Sequence, residues 1–217
     1  MSWTPCRLHI LSGPTPLRLG PVLGHASIVG LPAEKHRRAT FADLESVPGN
    51  LVAEIINGEL RTMPRPASRH ARAASRLGAR LDGPFDLGEG GPGGWIILDE
   101  PELHLGEDAL VPDLAGWRRD RMPELPDVNF FTLAPDWICE VLSPSTAADD
   151  RADKLPIYAR EGVRHVWLID PIAKTLEVLV LNAEQQWVLQ PVFRGDSNVR
   201  AEPFNAIELN LALLWAK

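Results

Sequence analysis

Three acidic residues lie in apolar, strand-like segments of this sequence, and their type and setting indicate metal chemistry. They are Glu54 in LVAEII, Asp113 in ALVPDLAGW and Glu140 in DWICEVL. One such acid is most often a strand-end or surface residue, but three on neighbouring strands would repel one another and lose solvation together. A divalent cation relieves that cost, because Mg²⁺ and Mn²⁺ prefer hard oxygen ligands. The pattern therefore predicts a Mg²⁺ or Mn²⁺ site.

A lysine follows the third acid at a spacing that brings it back to the same place. Asp150, Lys154 and Tyr158 recur at i, i+4 and i+8, so a helix after the Glu140 strand presents all three on one face. The alternative is a surface pair of Asp150 and Lys154, worth about 0.2–0.5 kcal/mol. Only four of the 22 basic residues are lysines, which favours a specific role for the compact ammonium of Lys154.

Residues 61–80 contain six arginines and a histidine, His70, but no acid. A helix is predicted over residues 67–82, with its alanines and leucines on one face and its arginines on the other. The arginines of that face are Arg69, Arg72, Arg76 and Arg80. We predict that this face and His70 contact nucleic-acid phosphates, with an ordinary solvated helix face as the open alternative.

The remaining elements predict a mixed α/β fold with a central sheet flanked by helices. A short capped helix begins near Thr40, Asn57-Gly58 marks a hairpin, and residues 83–94 form a glycine-rich loop. Strands are expected near residues 95–98, 101–105, 109–117, 136–142, 165–170, 175–181 and 187–193. A helical stretch over 146–161 should kink or restart at Pro156.

Composition sets the outer limits on fold and location. A chain of 217 residues with 45% hydrophobic side chains fits one globular domain over residues 37–217, after a disordered extension over residues 1–36. The net charge of -7 disfavours coating of nucleic acid by bulk electrostatics, although local patches remain possible. Two cysteines, no long apolar run and no secretory signal predict a soluble cytoplasmic protein without membrane contact.

Several runs resemble the Uma family of putative restriction endonucleases, in the PD-(D/E)XK superfamily. They are VPDLAGW, the stretch from WICEVLSPST to VWLIDP, and the stretch from FADLESV to SRLGARL, so the resemblance covers about residues 38–215. It implies a restriction-endonuclease-like core and magnesium-dependent cleavage of DNA phosphodiester bonds. It also implies a homodimer, since two active sites cut both strands most simply.

The resemblance also implies roles for individual residues. Asp113, Glu140 and Glu54 match the acids of the family's motifs, and Lys154 matches a lysine moved from the strand to the next helix. With the Val141 carbonyl, these acids are expected to hold the metal, and Lys154 is expected to be catalytic. The usual position, two residues after Glu140, holds Leu142. His70 matches the family histidine near the start of the first long helix, and Asp150 and Tyr158 would support Lys154.

Two other functions are compatible with these residues. The first is a catalytically silent nucleic-acid-binding or mobile-element accessory protein of the same fold. The second is a two-carboxylate enzyme such as a glycoside hydrolase. The second ranks last because it explains neither Lys154 nor the arginine-rich helix.

Overall fold

A computed structural model describes residues 37–215, so the extension predicted for residues 1–36 lies outside the described residues. The helices are α1 Phe41–Leu44, α2 Ser68–Leu81, α3 Ala147–Asp149, α4 Leu155–Arg160 and α5 Ala212–Trp215, with π-helical stretches at Asp82–Leu87 and Asp150–Lys154. The strands are β1 Leu51–Ile56, β2 Glu59–Pro64, β3 Trp95–Asp99, β4 Leu103–Leu105, β5 Asp108–Leu110, β6 Leu114–Arg118 and β7 Trp137–Val141. They continue with β8 His165–Asp170, β9 Thr175–Leu181, β10 Trp187–Leu189, β11 Phe193–Arg194, β12 Asn198–Val199 and β13 Leu209–Asn210.

Two main sheets carry the fold, which confirms the predicted mixed α/β class. The larger sheet has the order β10-β9-β8-β7-β6-β3, with β11 also paired to β9, and the smaller sheet has the order β2-β1-β5-β4. In the larger sheet only β7 and β8 run parallel. A parallel pair needs a crossover, and the helical segment 147–160, made of α3, the second π-helical stretch and α4, supplies it.

The hairpin predicted at Asn57-Gly58 joins β1 and β2. Both residues have positive φ, 55° at Asn57 and 86° at Gly58, as the tight hairpin turns that match strand twist require. This turn fixes the register and places Arg61 directly opposite Glu54. Residues opposite each other in an antiparallel pair point to the same face, so these two side chains share a face of the smaller sheet.

The single strand predicted over residues 109–117 is wrong, because the chain changes sheets there. β5 ends at Leu110 in the smaller sheet and β6 begins at Leu114 in the larger one. Pro112 has no N–H and so cannot donate a hydrogen bond to a neighbouring strand. The N–H of Val111 donates to the side chain of Glu54, at Oε1 and 2.8 Å, and not to a neighbouring strand. Asp113 therefore lies in the connection between the two sheets and not within a strand.

Three further boundaries differ from expectation. The loop predicted at 83–94 is shorter, because residues 82–87 extend α2 as a π-helical turn that buries Phe85. The strand predicted at 101–105 begins only at Leu103, and the one predicted at 187–193 is divided into β10 and β11. The restart predicted at Pro156 is confirmed, since α4 begins at Leu155 with this proline in its first turn, where its missing N–H costs little.

The two faces of the larger sheet pack against separate cores, and β7 shows the alternation. Trp137, Cys139 and Val141 enter one core, whereas Ile138 enters the other, together with Tyr158 of the helical segment. Successive residues of a strand point to opposite faces. Glu140 therefore shares the face of Ile138, beneath the helical segment 147–160. None of the helices among residues 37–215 is long and apolar enough to cross a membrane.

An aromatic cluster around Phe204 closes the first core. Its ring lies 4.6 Å from Phe85, 4.9 Å from both Trp95 and Trp137, and 5.6 Å from Trp167, measured between centroids. These contacts are tilted or edge-on, the arrangements that aromatic rings prefer. Phe204 thereby joins α2's π-helical extension to three strands of the larger sheet.

We expect Phe204→Ala to lower the free energy of unfolding by about 3–5 kcal/mol, because it opens a cavity among packed rings. Phe130→Ala is the matched control. Phe130 is 43% exposed and stacks on His104 at the surface, so its loss should cost about 1 kcal/mol or less. Urea unfolding of both variants measures the difference. Similar losses would show that the Phe204 cluster does not hold the core together.

Candidate active site

Glu140 is a buried carboxylate on β7, and two donors from the helical segment compensate it. The hydroxyl of Tyr158 donates to Oε1 at 2.6 Å, and Lys154 Nζ donates to the same oxygen at 3.3 Å. Both bonds end on Oε1, which leaves Oε2 for another ligand. The predicted contact from Lys154 back to Glu140 is therefore present, and Tyr158 positions the carboxylate of Glu140.

Lys154 is 4% exposed and lies among three carboxylates. Its Nζ is 3.0 Å from Glu54 Oε1, 3.3 Å from Glu140 Oε1 and 3.3 Å from Asp150 Oδ1. Burial alone would lower the pKa of Lys154, but the attraction of these acids raises it well above its usual value. The ammonium therefore stays charged, and the surface-pair alternative is wrong because both Asp150 and Lys154 are buried.

The surrounding acids carry more negative charge than one ammonium can balance. Burial raises the pKa of Glu140 well above its usual value, and the nearby Asp150, Asp113 and Glu54 add to the shift. Burial also raises the pKa of Asp150, against the attraction of Lys154. The cluster therefore favours binding of a further positive charge, whether a proton or a cation.

Glu54, on β1, contributes the acid with the least complete set of partners. It is 1% exposed, and its Oε1 accepts from the Val111 N–H and lies beside Lys154. Its Oε2 is buried without a hydrogen-bond partner among the described residues. A buried carboxylate oxygen with no donor is costly, and an ion or water would compensate it.

Asp113 reaches the site from the connection between the two sheets. β6 and β7 pair with Leu114 opposite Cys139, so one step further along the ladder brings Asp113 beside Glu140. Asp113 Oδ2 accepts from the Val141 N–H at 2.7 Å. Burial raises the pKa of Asp113 to about 7, although the Val141 amide and Lys154 act in the opposite direction.

His70 lies in the first turn of α2, with its Nε2 3.4 Å from Asp113 Oδ2. Burial lowers the pKa of His70, with the Val141 backbone and Glu100 acting in the opposite direction. Its Nδ1 is buried and has no hydrogen-bond partner among the described residues. His70 is therefore neutral near pH 7 and belongs to the same cluster as the acids.

These acids, Lys154 and His70 line one cleft of about 690 Å³, whereas Tyr158 does not line it. Among the predicted nucleic-acid contacts, His70 lines the cleft, whereas Arg69, Arg72, Arg76 and Arg80 do not. Arg76 instead donates to the carbonyl of Leu213 at 3.0 Å. A phosphate contact by that helix face stays a prediction, separate from the cleft.

The sequence reasoning missed two arginines that do line the cleft, Arg61 and Arg65. Both precede α2, and in the sequence they are part of the arginine-rich run over residues 61–80, which does not distinguish them from the helix arginines. The hairpin was the signal that could have separated them, since its register places Arg61 opposite Glu54.

The chemistry of this donor set fits Mg²⁺ or Mn²⁺. The available atoms are hard oxygens, namely the carboxylates of Asp113 and Glu140, the Val141 carbonyl and the unpartnered Oε2 of Glu54. Within residues 37–215, no three His, Cys, Asp or Glu side chains are arranged to hold one ion together. Two carboxylates with backbone and water oxygens are nevertheless a common set for Mg²⁺.

The mixed central sheet flanked by helices is a restriction-endonuclease-like fold. The crystal structure of a putative nuclease belonging to DUF820 from Anabaena variabilis ATCC 29413 has a similar fold, with a TM-score of 0.67 and 23% identity over 82% of this chain and 98% of that chain. The model of the Uma2 family, described as "Putative restriction endonuclease", matches residues 38–213, so this chain belongs to that family. Among curated proteins, none matches the sequence.

We expect the contribution of Asp113 to the stability of the metal-free protein to fall as the pH rises from about 4 to about 7. The pKa of Asp113 is about 7 in the folded state against an ordinary value of 3.8, so in this window the folded state holds a proton that the unfolded state has released. Stability therefore falls with rising pH, by up to about 4 kcal/mol from this group.

Asp113→Asn stays neutral and can still accept from Val141, so its loss over this pH range should be smaller. The exposed Asp127→Asn is the control and should behave as the wild type does. Urea unfolding in chelator across the pH range measures all three proteins. Equal losses in the wild type and Asp113→Asn would rule out Asp113 as the titrating group.

Proposed function

We propose that this protein is a divalent-metal-dependent endonuclease that hydrolyses DNA phosphodiester bonds. The observation that carries the proposal is the buried Lys154 ammonium, 3.0 Å from Glu54 and 3.3 Å from Glu140, in the cleft that also contains Asp113. The family description supports the reaction class, and restriction-endonuclease-like families generally use divalent metals. DNA is the substrate that such a family implies.

Each residue has a role in this proposal. Asp113, Glu140 and the Val141 carbonyl would hold the metal directly, and Glu54 Oε2 would contribute through a water beside it. Bound Mg²⁺ or Mn²⁺ would polarise the scissile phosphate and lower the pKa of the attacking water. Lys154 would orient that water and stabilise the charge that develops on the phosphate. Tyr158 and Asp150 keep Glu140 and Lys154 in position, since each contacts one of them directly.

The charge of the cleft supports a role for a cation in this proposal. Its lining has six carboxyl groups, from Glu54, Glu100, Asp113, Glu140, Asp149 and Asp150, against three cationic side chains, from Arg61, Arg65 and Lys154. A polyanion such as DNA is repelled by an excess of like charge. A divalent ion at the buried acids would reduce that excess. A homodimer with two such clefts would cut both strands of a duplex.

We expect purified protein to nick or cut supercoiled plasmid with Mg²⁺ or Mn²⁺, and Glu140→Gln and Lys154→Ala to reduce the rate at least about 100-fold. Lys174→Ala is the matched control for Lys154, because Lys174 is half exposed and pairs with Asp196 outside the cleft. Agarose gels of reaction time courses measure nicking and cutting. Salt-sensitive DNA binding without cleavage under either metal would favour the catalytically silent alternative.

We also expect Mg²⁺ to stabilise the folded protein, by about 2.7 kcal/mol when its concentration is 100 times the Kd. Glu140→Gln should remove most of this gain, because it replaces a charged ligand with a neutral amide. Glu177→Gln is the control, since Glu177 binds Arg151 outside the cleft. Calorimetry gives the Kd, and urea unfolding with and without Mg²⁺ gives the stabilisation. An unchanged gain in Glu140→Gln would place the ion elsewhere.

A further inference from the structure

Two arginines of the β1–β2 hairpin, Arg61 and Arg65, line the cleft beside the buried acids. We propose that these two side chains, and not the arginine face of α2, bind the phosphates that flank the scissile bond. This inference rests on the nuclease function proposed above and specifies how the substrate is held.

The hairpin register directs both arginines toward the cleft. Arg61 is paired with Glu54, and Val52 with Met63, and all four residues line the cleft. Side chains alternate along a strand, so positions 61 and 63 share this face, and Arg65 follows directly after β2 ends at Pro64. The four-residue step from Arg61 to Arg65 spans at most about 13 Å. Phosphates of one B-form strand follow at about 3.4 Å along the axis, so the two arginines would contact different phosphates.

Each arginine is held by carboxylates that a phosphate could replace. Arg61 Nη1 lies 2.8 Å from Asp153 Oδ2 and 3.2 Å from Asp149 Oδ2, and Arg65 Nη1 lies 2.9 Å from Glu100 Oε2. The planar guanidinium binds carboxylate and phosphate oxygens with the same fork geometry. The side chains are 27% and 57% exposed, so their donors can reach a ligand in the cleft. Asp149 and Asp153 therefore compete with DNA for Arg61.

The arginine face of α2 lacks these features. None of its four arginines lines the cleft. Arg69, Arg72 and Arg80 are exposed, and Arg76 is held by the backbone of α5. A charged face of this kind is ordinary on a solvated helix. The arginines that lie beside the buried acids of the cleft are those in β2 and directly after it, Arg61 and Arg65.

The test is the salt dependence of DNA binding, measured by fluorescence anisotropy with a labelled duplex. Ca²⁺ replaces Mg²⁺, since it takes the same kind of oxygen ligands. We expect Arg61→Ala and Arg65→Ala to bind several-fold more weakly and to lower the slope of log K against log salt by about 0.9 each. Arg164→Ala is the matched control, an exposed arginine outside the cleft, and should bind as the wild type does.

A second pair of variants tests the competition by carboxylates. Asp149→Asn with Asp153→Asn removes both carboxylates that hold Arg61 Nη1, leaving Glu59 at 3.4 Å from Nη2, and should tighten binding. Glu177→Gln with Glu184→Gln removes the same amount of negative charge and frees Arg151, which lies outside the cleft. Tighter binding in the first pair only would show that the effect is local and not due to net charge. Equal Kd values in the two pairs would contradict the competition.

The outcomes separate this inference from the function on which it rests. Wild-type protein that neither binds nor cuts DNA would overturn both. Wild-type protein that binds DNA, with Arg61→Ala and Arg65→Ala equal to Arg164→Ala, would overturn the inference alone. Loss of binding in Arg72→Ala or Arg80→Ala but not in the hairpin variants would place the phosphates along α2. Circular dichroism and thermal melting of each variant confirm that it is folded.

Discussion

The contact of one buried ammonium with three carboxylates is the constraint on which this site depends. Lys154 links Glu54 of the smaller sheet, Glu140 of the larger sheet and Asp150 of its own helical segment. Removing one partner from a buried charge cluster leaves the others uncompensated, at a cost of several kcal/mol. An apolar core of equal volume would often be at least as stable. The main effect of the cluster is therefore to fix the geometry of the cleft, and not to stabilise the fold.

The segment that changes sheets connects the remaining acids to this cluster. The Val111 N–H donates to Glu54, and two residues later Asp113 accepts from the Val141 N–H, next to Glu140. Pro112 between them ends the strand of one sheet before the next begins. Three consecutive residues thus contact both sheets at one cleft, so any shift between the sheets would alter the site directly.

The sequence was sufficient for features that follow from local rules. Asn57-Gly58 predicted the hairpin, and helical spacing predicted that Lys154 reaches back to Glu140. The sequence did not predict the hydrogen bond from the Val111 N–H to the distant Glu54 side chain, which replaces a strand hydrogen bond. It also did not predict the π-helical stretch over residues 150–154. A helical pattern also predicts which residues of α2 share a face, but not where that face points. The orientation of that face depends on how the apolar side of α2 packs against the core. In the structure this packing places the α2 arginines outside the cleft.

In the proposed function, protons and cations would compete for the same oxygens in this cleft. Burial raises the pKa of Asp113 to about 7, so a proton and a divalent ion would bind there at the expense of each other under neutral conditions. In a chain of net charge -7, with carboxyls outnumbering cations in the cleft, an occupied ion site would also reduce the repulsion that DNA would meet. The burial that raises the pKa of the acids would thereby couple proton release, ion binding and the entry of a polyanion.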